Sequence, residues 1–244
     1  MALTEVIAVR HGESEGNVAR EAAMAEQAEL ITIGQRDPDV PLSPRGRNQA
    51  EAVGRWLADY GAQPLAAIWS SPYVRARQTA EISIALAQVP LRIRIDERLR
   101  DRELGVLDLL TGSGVAARFP EEAARRRWLG KMYYRPPGGE SWSDVALRLR
   151  SFVADLERKP LEGAILVYCH DAVIMLLCYV LAELTVEQLL DMARAQNLGN
   201  GSVTRLVRTG PETWEVAAFN EQRHLVEAGA PRTQHEGEAD DAHR

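Results

Sequence analysis

The sequence predicts an α/β fold, a three-layer α/β/α sandwich around a mainly parallel central sheet, and three observations predict it. Short apolar runs with β-branched residues recur at Glu5–Val9, Leu65–Trp69 and Ala164–Cys169. Segments with helical apolar spacing separate them, as crossovers between parallel strands require. The run Ala164-Ile165-Leu166-Val167-Tyr168-Cys169 has no polar alternation, which marks a strand covered on both faces.

In chain order, Glu5–Val9 is the first strand, and it ends in Arg10-His11-Gly12-Glu13-Ser14-Glu15-Gly16-Asn17. Open α/β sheets place chemistry at such carboxyl edges. Val18–Leu30, rich in Ala and Glu, reads as helical, and residues 31–39 as a connection containing Gly34 and Pro38. Ser43 then caps a helix with Pro44 as its first residue and Ala50, Val53, Trp56 and Leu57 as its apolar face. Leu65–Trp69 is the second strand; Ser70-Ser71-Pro72 ends it and caps a helix whose first turns carry Arg75, Arg77, Gln78 and Thr79. Leu91–Ile95 alternates apolar and basic residues, as a strand with one wetter face does. Residues 106–140 hold Gly, Ala and a basic cluster, and fit a lid better than a sheet element. Ser141 and Asp144 form a capping-box variant for a helix with apolar face Val145, Leu149, Phe152 and Leu156. After the central strand at Ala164–Cys169 come helices at Ala172–Leu184 and Val186–Ala193. Strands at Val203–Val207 and Trp214–Phe219 follow, joined by Gly210-Pro211. From Ala228 on too little apolar surface is left to fold, so residues 1–227 are expected to form the domain and 228–244 a disordered tail.

Composition narrows the function classes. A chain of 244 residues with 45% hydrophobic and 26% charged residues has the make-up of a soluble globular protein. A net charge of −6 argues against general nucleic-acid binding, no apolar run is long enough to span a bilayer, and no signal peptide is visible. A cytoplasmic location is expected. Cys169 and Cys178 lie in apolar surroundings and read as buried small hydrophobes rather than a disulfide framework. Of five histidines, His224, His235 and His243 fall in the polar C-terminal stretch. That leaves His11 and His170, each directly after a strand, and no ligand spacing for a metal.

His11 is the residue at its strand end that can act as nucleophile or base near neutral pH. Arg10 supplies a planar cation suited to phosphate oxygens. Gly12 and Gly16 allow a sharp turn that brings backbone N–H groups towards an anion. Arg75, near a helix N-terminus, suits a phosphoryl group, because dipole and side chain both favour negative charge.

Arg10-His11-Gly12-Glu13-Ser14 with Asn17 resembles the signature of the histidine phosphatase superfamily, the phosphoglycerate-mutase-like fold. Pro41-Leu42-Ser43 with Gly46, Gln49 and Ala50 is similar to a second pattern of that superfamily. Ser71-Pro72-Tyr73-Val74-Arg75-Ala76-Arg77-Gln78-Thr79-Ala80 is similar to its second phosphate-binding motif, and Pro136-Pro137-Gly138-Gly139-Glu140-Ser141 to a further one. The resemblance spans roughly residues 3–220 and implies the phosphatase type of the first branch. It implies His11 as nucleophile, His170 as second catalytic histidine, Arg10 and Arg75 as phosphate ligands, and Ser14, Gly16 and Asn17 as substrate-binding residues. Members have Leu-x-Glu-x-x-x-Gly before the lid, the Glu being the proton donor. Here Leu99 and Gly105 set the register and put Asp101 at that place, with Glu103 as a substitute. Asp171 follows His170 where this branch has Gly, while the acid-phosphatase branch uses a His-Asp pair; Asp171 is therefore a rival donor.

The activity so implied is phosphomonoester hydrolysis through a phosphohistidine, on a small anionic ester, with no cofactor or metal required. A cofactor-dependent phosphoglycerate mutase, primed by 2,3-bisphosphoglycerate, is the alternative. The 69 positions from Asp101 to His170 resemble the shorter phosphatases. A phosphate-ligand-binding protein with weak catalysis is a third reading, motivated by Asp101 and Asp171. Between residues 118 and 135, Arg118, Arg125, Arg126, Arg127, Lys131 and Arg135 face only Glu121 and Glu122. These cations are either a solvated basic helix or ligands for a second anionic group of the substrate. Substrate identity and oligomeric state are not legible.

Overall fold

A computed structural model describes residues 3–61 and 64–234. Its six-stranded sheet has the order β3-β2-β4-β1-β5-β6. The strands are β1 (Leu3–Arg10), β2 (Leu65–Ser70), β3 (Ile93–Ile95), β4 (Gly163–Cys169), β5 (Val203–Arg208) and β6 (Trp214–Glu221). β5 is antiparallel to both its neighbours while the remaining pairings are parallel, so the other five strands share one direction. The expected mainly parallel sandwich is what forms.

Side-chain alternation splits the central strands between two cores. Val6 and Ala8 of β1, with Ile165, Val167 and Cys169 of β4, pack against α6 (Trp142–Glu157), α7 (Asp171–Leu181) and α8 (Val186–Ala195). Ile7 and Val9, with Ala164, Leu166 and Tyr168, pack against α2 (Pro44–Ala58) and α3 (Val74–Ala87) on the opposite face. β1 and β4 are thus buried on both sides, which is why β4 reads as unbroken apolar sequence. Cys169 and Cys178 are free and buried, as expected.

Several boundaries differ from the sequence expectation. α1 covers Glu15–Ala25 rather than 18–30: the chain turns left-handed at Gln27 (φ 55°), and Leu30 bridges Leu110. β3 keeps three residues of the expected five, at the sheet edge. The 106–140 segment is helical, with α4 (Gly112–Arg118) and α5 (Pro120–Tyr133), and Gly130 (φ 74°, ψ 164°) breaks the last turn of α5. Leu107, Leu110 and Tyr134 form a small core under it. Ser43 caps α2, and the Ser141/Asp144 box caps α6, both as read. α3, however, has Tyr73 as its N-cap, whose side chain makes no capping bond; Ser71 Oγ accepts from the Tyr73 N–H and also lies 2.9 Å from His170 Nε2.

The C-terminal stretch makes specific contacts with the domain. His224 is buried in α9 (Arg223–Glu227), where its Nε2 bonds the Gly201 carbonyl, although the stretch around it reads as polar. Residues 228–234 of the expected tail are held down: Asn200 N–H donates to Thr233 O, and Gln49 Nε2 to Pro231 O and Thr233 Oγ1. Polar pairing does there what apolar burial cannot. The rest of that stretch, with His235 and His243, lies outside the described residues. Among the described residues no helix is long and apolar enough to cross a membrane.

Candidate active site

Strand register brings the two histidines together. Arg10 of β1 pairs with Cys169 of β4, so the next residues, His11 and His170, leave the sheet side by side. Their ring centroids are 5.1 Å apart at 61°. β2 ends at the same edge with Ser70 opposite Tyr168, which sets Ser71 beside His170. The segment before the antiparallel β5 arrives there too: Asn200 Nδ2 and Gly201 N–H donate to the His11 carbonyl.

The His11 ring has an assigned tautomer. Nδ1 lies 2.7 Å from the Gly12 carbonyl, which can only accept, so Nδ1 carries the proton and Nε2 the lone pair. Burial, reinforced by Arg75, His170 and Arg10, holds its pKa well below the usual imidazole range. His11 is therefore neutral at pH 7, with an unprotonated ring nitrogen, and it lines a cavity of about 200 Å³.

Arg10, Ser14, Gly16, Asn17, Arg75 and Asp101 line that cavity with it. Arg10 donates from Nη1 to the Leu198 carbonyl, and its Nη2 is 4.0 Å from Asp171. Its Nε is buried without a hydrogen-bond acceptor. Arg75, 5% exposed, reaches Asp101 Oδ2 (3.1 Å) and also grips Asp37 of the 31–39 connection. His170 is fully buried, with Nε2 2.9 Å from Ser71 Oγ. Its Nδ1 is 3.2 Å from Asp101 Oδ2, close enough for an ion pair though not aligned as a hydrogen bond. The Tyr73 ring packs edge-on against it.

Asp101 thus sits between the Arg75 guanidinium and the His170 imidazole. Burial opposes its ionisation, but His170, Arg75 and the Arg102 N–H outweigh that and hold its carboxyl well below the usual carboxylate range. Glu103 makes none of these contacts; it accepts from Tyr73 OH (3.0 Å). Asp171 also lines the cavity, with Oδ1 accepting from the Ala172 N–H. Glu140 joins Arg100 and Arg148 in an ion-pair cluster and does not line the cavity.

Three backbone donors of the segment after β1 are engaged within the protein. Gly12 N–H donates to Thr79 Oγ1, Glu13 N–H to Gln49 Oε1, and Ser14 N–H to Asn17 Oδ1. Gly12 is required by packing: a Cβ there would lie 2.4 Å from the Gly46 carbonyl of α2. Ser14 and Asn17 form a reciprocal capping box on α1. Of the six cations between residues 118 and 135, Lys131 lines the main cavity, 4.8 Å above the Trp142 ring, while Arg126 and Arg127 line a neighbouring one. Arg118 and Arg135 pair with Glu29 and Asp144 outside. Asp37, Ser71, Tyr73 and Thr79 are site contacts that the sequence reading missed as such. Ser71 was readable, since it follows a strand parallel to those of the two histidines.

The sequence profile of the histidine phosphatase superfamily (branch 1) matches residues 6–222. The chain belongs to that superfamily. It is 32% identical over 199 residues to a 2,3-bisphosphoglycerate-dependent phosphoglycerate mutase of Rhizobium meliloti (strain 1021), covering 80% of this chain and 86% of that protein. It is 31% identical over 182 residues to 6-phosphofructo-2-kinase/fructose-2,6-bisphosphatase 3 of Rattus norvegicus. There the match covers 74% of this chain and 28% of that longer protein. The structure of a mycobacterial glucosyl-3-phosphoglycerate phosphatase superposes with a TM-score of 0.72 at 28% identity, over 90% of this chain and 99% of that one. This histidine phosphatase superfamily member is thus similar both to phosphatases and to mutases.

Proposed function

We propose that this protein is a phosphomonoester hydrolase that works through a phosphohistidine at His11 on a small anionic phosphate ester. The carrying observation is the state of His11: Nδ1 tied to the Gly12 carbonyl, and Nε2 left unprotonated among Arg10, Arg75 and His170. In-line attack by Nε2 forms the N–P bond as the ester P–O bond breaks, which divides one hard displacement into two easier ones. Arg10, Arg75 and His170 neutralise the equatorial oxygens. The unpartnered Nε of Arg10 is a donor for which an oxyanion supplies the acceptor.

Asp101 is the proton donor in this reading. Its low pKa in the free site comes from His170 and Arg75, the groups that a phosphate would draw to itself. An arriving dianion competes for them and adds its own charge beside the carboxylate; both effects raise the affinity of Asp101 for a proton. The acid then protonates the leaving alkoxide, and the resulting carboxylate takes a proton from water attacking the phosphohistidine. Asp101 is favoured over Asp171 because it contacts both His170 and Arg75.

Reaction with a labelled ester, quenched early, is expected to leave base-stable, acid-labile phosphate on the protein. His11→Ala should abolish it and lower turnover by more than about 10³-fold; near-wild-type turnover in that variant ends the nucleophile assignment. A mutase reading is favoured by the 32% identity to the Rhizobium meliloti enzyme. It alone calls for a bisphosphoglycerate primer, and primer-dependent conversion of 3- to 2-phosphoglycerate without phosphate release would establish it instead.

A further inference from the structure

Arg75 meets two carboxylates, and the second belongs to a segment with no role in the reaction above. Asp37 lies in a 3₁₀ turn (Asp37–Asp39) of the 31–39 connection and lines the cavity. Arg75 Nη1 donates to the Asp37 carbonyl (2.7 Å) and to Asp37 Oδ1 (2.9 Å), and Nη2 to Asp37 Oδ2 (3.2 Å) and Asp101 Oδ2 (3.1 Å). A guanidinium has four terminal hydrogens, and these four bonds engage them all. The pair is the bidentate fork in which arginine holds carboxylate and phosphate alike. Asp37 therefore presents to Arg75 the same planar pair of acceptor oxygens that a phosphoryl group would.

We propose that Asp37 is an internal counter-anion that a phosphoryl group must displace from Arg75, so that this residue sets how tightly the site holds phosphate. The inference rests on the phosphate-site reading given above. Exposure supports displacement over permanent clamping. Arg75 is anchored in α3 and 5% exposed, whereas Asp37 is 40% exposed on a three-residue turn with no side-chain cap. The turn is closed by its own backbone bonds, Asp39 N–H to the Arg36 carbonyl and Val40 N–H to the Asp37 carbonyl, so the Asp37 side chain can release Arg75 without breaking a helix or strand. Charge supports it too. Asp37, Asp101 and Asp171 all line the cavity that must take a dianion, and each carboxylate left in place opposes its entry. Weak retention has a chemical use, because hydrolysis leaves inorganic phosphate in the pocket and a competing carboxylate on Arg75 favours its departure.

The test is calorimetric binding of inorganic phosphate to the full chain at fixed ionic strength, with product-inhibition constants beside it. Asp37→Asn keeps the size and removes the charge; it is expected to tighten phosphate binding roughly tenfold and lower the inhibition constant in parallel. Asp37→Ser serves the same end if the amide keeps a bond to Arg75. Asp39→Asn, on the same turn but paired with exposed Arg36, should change neither constant by more than about twofold. Unchanged or weaker phosphate binding in both Asp37 variants, with melting temperatures preserved, would show that Asp37 positions Arg75 and overturns the proposal. Wild-type protein that binds no phosphate, or whose binding survives Arg75→Ala, would instead overturn the phosphate-site reading itself.

Discussion

Asp101, the donor of the proposed reaction, is one methylene shorter than the Glu that the resemblance leads one to expect there. Its Oδ2 nevertheless lies 3.2 Å from His170 Nδ1 and 3.1 Å from Arg75 Nη2. If Asp101 is the acid, its value depends on how much the leaving group needs a proton. Asp101→Asn should slow hydrolysis of alkyl phosphates by about 10²–10⁴-fold and of an activated aryl ester far less. Equal losses on both, measured as kcat/KM, which reports the phosphorylation step alone, would point to a positioning role. Asp171→Asn is the matching control and should show no such split.

At the scale of elements, the site depends on close approach between the segment after β1 and the first turn of α2. Ser43 Oγ, the α2 cap, donates to Glu13 Oε1 at 2.6 Å, and a Cβ on Gly46 would fall 1.9 Å from the Glu13 carbonyl. Gly46→Ala must therefore push two backbones apart, and is expected to lose about 2–3 kcal/mol of stability together with activity. Ser141→Ala removes the box that starts α6, away from the histidines. About 1 kcal/mol should go, with kcat unchanged. Denaturant unfolding and steady-state rates on the two variants check both outcomes; a Gly46→Ala protein of wild-type stability would mean the approach is slack.

For the whole molecule, buried titratable groups set the acid limit. Burial lowers the pKa of both His11 and His224 below the ordinary 6.5, so below that pH the unfolded chain binds more protons than the folded one. Stability should start to fall as pH drops through about 6.5, and continue down to the folded-state values. The depressed Asp101 acts later: its contribution is present above the unfolded carboxyl pKa of 3.8 and is lost as pH falls through its folded value. His224→Gln should flatten the first stage without touching the chemistry. Melting temperatures between pH 7 and 4 measure this, and an unchanged slope would mean that burial of His224 has no such consequence.

How much of this was legible depends on the range of the interaction. Strand and helix identity, the Ser43 and Ser141 caps and the order of the motifs follow from local periodicity and turn chemistry, which act over a few residues. The doubly buried β4 announced itself because both faces need apolar side chains. Helix ends at Ala25 and the shortness of β3 did not, since tertiary contacts at Leu30 and the sheet edge end them. The sequence by itself determined which residue types stand at the carboxyl edge of the sheet, and so that His11, His170, Arg10 and Arg75 are the groups that meet there. Only the tertiary structure decided which donors stay available to a ligand. The Gly12, Glu13 and Ser14 amides are engaged by Thr79, Gln49 and Asn17, and Arg75 by Asp37, through contacts between segments about 30 to 70 residues apart apart from the local Asn17 cap. Hydrogen bonds saturate, and what occupies a donor across that separation is set by register and packing, which no local pattern encodes.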